Sequence, residues 1–113
     1  MAKAHDVGRR GESMVAKLYR AAGARVWQSP GSRGSADVIA RLPNGRTDYV
    51  QVKSTTTNQA AWPGRRERGA LQSRATRTKG RATAVVAQVD VRSGGSVVRR
   101  SARDGGKLRR PLS

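Results

Sequence analysis

Two runs of strict alternation flank the tripeptide Pro43-Asn44-Gly45, and together they leave the centre of this chain little freedom. Val38, Ala40 and Leu42 alternate with Asp37, Ile39 and Arg41 before it, and Val50 and Val52 alternate with Tyr49, Gln51 and Lys53 after it. Period two marks strands with one face buried, so the spacing predicts a β-hairpin. The turn length then decides which side chains share a face, because a one-residue slip moves every side chain to the other side of the sheet. A two-residue turn at Asn44-Gly45 would pair Asp37 with Val52 and set Asp37 across the sheet from Gln51 and Lys53. A three-residue loop suits the residues better, with Pro43 and Asn44 as the centre of a type I turn and Gly45 in the left-handed position that closes a bulge. In that register Val38 faces Val50, Ile39 faces Tyr49 and Asp37 faces Gln51. The apolar and polar faces are then each self-consistent, and an acid, an amide and a lysine share one of them.

The flanking segments supply the rest of an α/β pattern. Val7, Gly11, Met14, Val15, Leu18 and Ala22 recur at helical spacing, which predicts a helix over 7–22 with Asp6 as N-cap and Gly23 as its stop. A short strand, "ARVWQS", and a Gly/Ser-rich loop, "SPGSRGS", lead into the hairpin. Residues 54–66 have turn composition and no period. A second helix is expected from Glu67 to Lys79, stopped by Gly80, followed by the apolar strand "ATAVVAQVDV", a turn at "SGG" and an edge strand "SVVRRSA". The residues from Arg103 onward read as a frayed basic tail.

At 113 residues the chain has room for one domain, which on folding hides roughly 60–70% of its surface. Phenylalanine is absent and aromatic residues make up 4%, so the core must come from Val, Ala, Leu and Ile with Trp27, Tyr19, Tyr49 and possible help from Trp62. So thin a core favours a dimer. Twenty-four Lys and Arg stand against 7 acids, a formal net charge of +17, and such a balance points to polyanionic partners, nucleic acid first. Without cysteine, and with His5 alone, neither a disulfide framework nor a zinc site of thiolates or imidazoles is available. No window reaches membrane-spanning length and "MAKAHDVGRRGE" lacks an apolar run, so no membrane partner is expected and the expected setting is the cytoplasm, or the host cytoplasm for a viral protein.

Three stretches, "GRRGESMVAKLYRAAGARVW", "SPGSRGSADVIA" and "YVQVKS", carry a resemblance. With the element order α-β-β-β-α-β-β, the chain resembles the PD-(D/E)XK nuclease superfamily, and within it the archaeal-type Holliday junction resolvases, which also occur in viruses. The resemblance is close over residues 8–54 and rests on element order elsewhere. It implies a single-domain α/β restriction-endonuclease-like core with a central mixed sheet flanked by helices, a nuclease domain over 1–102 and a flexible basic tail over 103–113. Carried over residue by residue, it makes Asp37 the central metal-binding carboxylate, Lys53 the ammonium beside the attacked phosphate, Glu12 the helical acid that ligates directly or through water, and Ser32 a group near the scissile phosphate. Gln51 departs from the pattern, since the family usually has Asp or Glu there. Its amide carbonyl and the backbone carbonyl of Val52 still offer oxygens to Mg2+ or Mn2+, with one negative charge fewer.

Each of these residues also has a plainer reading when taken alone: Asp37 as a cap or turn residue, Lys53 as a solvated strand end, Glu12 as a helix-surface partner of Lys17 or Arg9, and Ser32 as an ordinary loop serine. Their coincidence, with so few acids in the chain, favours the site. Arg9, Arg10 and Lys17 on the first helix, Arg33 in the loop, and Arg65, Arg66, Arg68, Arg74, Arg77 and Lys79 around the second are candidates to track DNA phosphates. Trp62 has three open roles: stacking on an opened base, a dimer contact, or core packing. The implied activity is metal-dependent cleavage of four-way DNA junctions by a homodimer. The rivals are another nicking or repair endonuclease of the superfamily, and a non-catalytic nucleic-acid-binding module of the same fold.

Overall fold

The helical spacing near the N-terminus produces α1, Ala4–Ala21, in a computed structural model that describes residues 4–28, 36–57, 60–92 and 95–109. Val15, Ala16 and Tyr19 on its apolar face are fully buried. The helix starts earlier than the periodicity indicates, so Asp6 lies within the first turn rather than at the N-cap; a carboxylate there still meets the positive end of the helix dipole. Gly23 stops it as expected, at φ +86°. The amide of Gly23 donates to Arg20 O and that of Ala24 to Tyr19 O, the paired bonds of a Schellman cap that needs a left-handed residue.

Five strands follow in one mixed sheet whose spatial order is the chain order: β1 Arg25–Gln28, β2 Val38–Arg41, β3 Thr47–Thr55, β4 Ala82–Asp90 and β5 Val97–Ser101. β1, β2 and β3 form an antiparallel meander, β3 and β4 are parallel, and β5 returns antiparallel to β4. The parallel step is bridged by α2, Arg65–Arg77, as parallel neighbours require. The element order is the expected one. β3 runs through Thr55 into the stretch expected as loop, because its backbone stays paired with Asp90 of β4. α2 begins two residues early, after Pro63-Gly64, with the amide of Arg68 donating to Gly64 O.

The hairpin turn has the three-residue form. The amide of Gly45 donates to Leu42 O at 2.9 Å, that of Leu42 to Arg46 O at 2.8 Å, and Gly45 sits at φ +89°. Asn44 Oδ1 accepts the amide of Arg46 at 2.8 Å. Val38 faces Val50 and Ile39 faces Tyr49.

Two unequal layers cover the sheet. α1 lies over Val38, Ala40, Val50, Val85, Ala87 and Val89, the main core. On the other face α2 contributes one fully buried side chain, Leu71, packed with Ala36, Val86, Ala102, Ile39 and Tyr49. Trp27, expected in the core, is 52% exposed; it sits on edge strand β1 opposite Ile39, outside the area α2 covers. Trp62 is 38% exposed, with the Arg68 guanidinium 5.9 Å from its ring centre and Gly105 alongside.

Residues 103–109 depart from the frayed tail expected of them. After a turn at 102–104 the chain folds back beside β5, with Ser101 donating to Gly106 O, Leu108 donating to Arg99 O, and a bridge between Arg100 and Lys107. Leu108 packs on the main core, and that apolar anchor is what holds the segment. Residues 110–113 lie outside the described chain.

Three polar groups join the main core. Asp48, fully buried, accepts from Tyr19 Oη at 2.7 Å and from Arg99 at 2.8 Å through Oδ2, and from Arg46 Nε at 3.1 Å through Oδ1. Arg99 also donates to Tyr19 Oη and to the carbonyl of Arg109. Burial, with Asp48 beside it, pushes the Tyr19 phenol well above its ordinary range. Satisfied buried charge of this kind ties α1, β3, β5 and the returning segment into one unit. Among the described residues no helix is long and apolar enough to cross a membrane.

Candidate active site

Asp37 meets the β3 residues Val52 and Lys53 where β2 enters the sheet, with one local change from the expected register. The Asp37 amide donates to Val50 O at 2.8 Å, while Val38 is the residue in register with Val50. Two residues therefore oppose one, as in a β-bulge. Asp37 shares Val50 instead of facing Gln51, which corrects the register expected for it; the bulge turns its carboxylate along the strand to accept the Val52 amide at 2.8 Å through Oδ2. Within a strand the N–H and C=O of one residue project to the same side. The Val52 carbonyl, an expected metal ligand, thus points toward the edge where the Asp37 carboxylate sits.

Gln51 and Lys53 leave β3 on the α2 side, and both meet a residue the sequence reading passed over. Glu67 Oε2 accepts from Gln51 Nε2 at 2.8 Å and pairs with Lys53 Nζ at 3.1 Å. Glu67 is third in α2, placed by the helix start at Pro63-Gly64, and an acid there is favoured by the helix dipole. Its signal in the sequence was compositional, as the lone acid of a helix with five arginines. Burial raises the Asp37 carboxyl above the usual range; the Val52 amide and the Lys53 ammonium oppose that shift, and Glu67 adds to it. Asp37, Gln51, Lys53 and Glu67 thus form one electrostatic neighbourhood.

Glu12 is half-buried on α1. It follows Gly11, which lies close against Ser54 and Val52 of β3, on the opposite layer from Glu67. Ser32 and Arg33 fall outside the described residues. Arg9 and Lys17 are exposed on α1, and Arg10 is exposed there and donates to Val91 O. Arg65, Arg66, Arg77 and Lys79 are exposed in or just after α2. Arg68 holds Pro63 O, and Arg74 lies over the Tyr49 ring at 4.9 Å. The basic residues therefore fall into two sets, one on each helical layer.

Among the described residues no three His, Cys, Asp or Glu side chains converge as a metal cage. The oxygens beside Asp37 nevertheless suit a hard cation, which accepts carboxylate, amide and backbone carbonyl together. One observation bears on this directly: Gln51 Oε1 is buried and, among the described residues, has no hydrogen-bond partner. Such an atom costs free energy unless something satisfies it. The fold defines a mixed five-stranded α/β protein with one helix on each face. In comparison with known proteins, the chain matches no family model and no curated protein.

Proposed function

We propose that this chain is a metal-dependent endodeoxyribonuclease with a restriction-endonuclease-like core, acting as a homodimer on four-way DNA junctions. The observation that carries the reading is the grouping of Asp37, Gln51 and Lys53 at the bulged end of the β2–β3 hairpin. Asp37, Gln51 Oε1 and the Val52 carbonyl are the groups that would hold Mg2+ or Mn2+. A divalent cation held there would polarise the phosphoryl group and lower the pKa of the attacking water. The Val52 amide orients Asp37, because its hydrogen bond holds the carboxylate along the strand. Lys53 offsets the charge that builds on the pentavalent phosphorus, or orients the water, from the adjacent position on the same face. The arginines of both layers supply shape- and charge-based contacts to phosphates without base readout. The two-fold symmetry of a dimer suits paired incisions in a two-fold junction.

The test compares a synthetic four-way junction with linear duplex of the same sequence, in Mg2+ or Mn2+, using wild type and Asp37→Ala. Junction cleavage that Asp37→Ala abolishes is expected. Equal cutting of both substrates would replace the resolvase reading with another nicking or repair endonuclease of the superfamily. The binding-module reading is favoured by a specific observation, that Lys53 is already paired with Glu67. Tight junction binding with no cleavage in either metal would establish it.

A further inference from the structure

We propose that Trp62 is a stacking platform for an unpaired DNA base, set beside the candidate site by the loop that leads into α2. The inference rests on the DNA-binding part of the reading above and needs neither metal nor cleavage.

Trp62 is 38% exposed, yet the structure around it is held from several sides. The Gln88 side chain, reaching out of β4, donates through Nε2 to the carbonyls of Ala60 and Ala61, both at 3.3 Å. Its Oε1 accepts from Arg100 Nε at 3.0 Å, and Arg100 Nη1 donates to Gly105 O at 3.0 Å. Gly105 in turn lies against the six-membered ring of Trp62, since a Cβ there would sit 3.8 Å from Cζ2 and Cη2. On the other side of the indole in sequence, Pro63 is buried and its carbonyl accepts from Arg68 Nε at 3.2 Å. The backbone before and after Trp62 is thus pinned to β4 and α2, and one edge of the ring rests on the returning segment. An aromatic ring ordered before its ligand arrives loses little conformational freedom on binding.

The same network fixes where the ring stands. Gln88 is in register with Lys53 on the parallel strand β3, so their side chains leave strands about 5 Å apart on one face of the sheet. The loop is therefore hung one strand from Lys53, on the α2 side where Lys53 meets Glu67. A DNA strand passing Lys53 also passes Trp62.

Charge selects the occupant. Arg65 and Arg66 are exposed just after the indole and the Arg68 guanidinium lies 5.9 Å from its ring centre, in a chain of net charge +17. A two-fold contact between copies through this face would set those arginines against their own counterparts. A single strand of DNA offers them phosphates and offers the indole the π-face of a base. Plain core packing would have buried the ring.

The test uses the intact protein in EDTA and fluorescence anisotropy of two labelled probes: a dT oligonucleotide, and one of equal length and charge whose central nucleotides are abasic. Wild type should bind the dT probe more tightly than the abasic one. Trp62→Ala is expected to weaken dT binding at least about fivefold, the low end for one base stacked on an aromatic side chain, and to leave abasic binding unchanged. Trp62→Phe should recover part of the loss. A second readout keeps the residue in place: Trp27 is exposed on its edge strand, so Trp27→Phe should fold and leaves Trp62 as the sole tryptophan, whose emission the dT probe should quench and the abasic probe should not. No preference for dT in wild type, an equal preference in Trp62→Ala, or bound dT without quenching would overturn the proposal. A wild-type dimer that Trp62→Ala dissociates on size-exclusion chromatography would overturn it in favour of a contact between copies. Each of these failures leaves the nuclease reading standing, which junction cleavage tests separately.

Discussion

Replacing Asp48 by Asn should be among the most damaging single changes in this protein. The substitution keeps the side-chain shape and removes the charge that faces Arg99 and Arg46. Asp48 is fully buried and the Arg99 side chain is 5% exposed, so Arg99 is left as a charge in the core with no carboxylate to meet it. Breaking one side of a buried ion pair costs about 3–5 kcal/mol. Typical domain stability is about 5–15 kcal/mol, so this is a large share of the whole. At about 4 °C per kcal/mol for a chain of this length, the melting temperature should fall by roughly 12–20 °C. The control is Lys53→Met, which breaks the half-exposed pair with Glu67 and should cost about 0–1 kcal/mol. Urea unfolding followed by far-UV circular dichroism reads both. A loss under about 1 kcal/mol for Asp48→Asn, comparable with the control, would refute the view that this network holds the α1 layer to β5.

Two further expectations follow from particular contacts. A Cβ at Gly11 would lie 1.7 Å from Ser54 Oγ and 2.9 Å from Ser54 Cβ, so Gly11→Ala should destabilise by about 1–3 kcal/mol in denaturant unfolding. Adding Ser54→Gly should recover much of that, and an unchanged loss in the double variant would show that the helix does not approach the strand this closely. The Asp37 carboxyl keeps its proton to higher pH in the fold than in the unfolded chain. Its contribution therefore becomes less favourable to folding as pH rises upward from about 4, the ordinary carboxylate range. Asp37→Asn should lack that part of the decline, and parallel stability-versus-pH curves for the two proteins would contradict the shift.

The hairpin could be read from the sequence because each level of information agreed. The alternation, Pro43 at the turn and a left-handed Gly45 all pointed to one register. The bulge at Asp37 was hidden from that reasoning, because a period-two pattern contains no mark of an extra residue at a strand end. Glu67 was missed for a different reason. It joins Gln51 and Lys53 through tertiary packing of α2, and nothing local to residue 67 signals the contact. Asp48 shares its face with Val50 and Val52, but an acid at that position was not read as core. Its partners Tyr19 and Arg99 are too distant in sequence to be paired with it by pattern. Trp27 came out exposed because hydrophobicity gives no indication of how far a neighbouring helix extends across a sheet.

The attachment of α2 sets a difference in local stability between that helix and the hairpin it covers. Asp37, Gln51 and Lys53 belong to a local hairpin backed by the main core, whereas Glu67 depends on a helix held by one fully buried side chain, Leu71. Elements with so little buried apolar surface open first in native-state fluctuations. Amide exchange is therefore expected to be faster in α2 than in the hairpin strands, and the contacts of Glu67 with Gln51 and Lys53 last only as long as the helix stays docked.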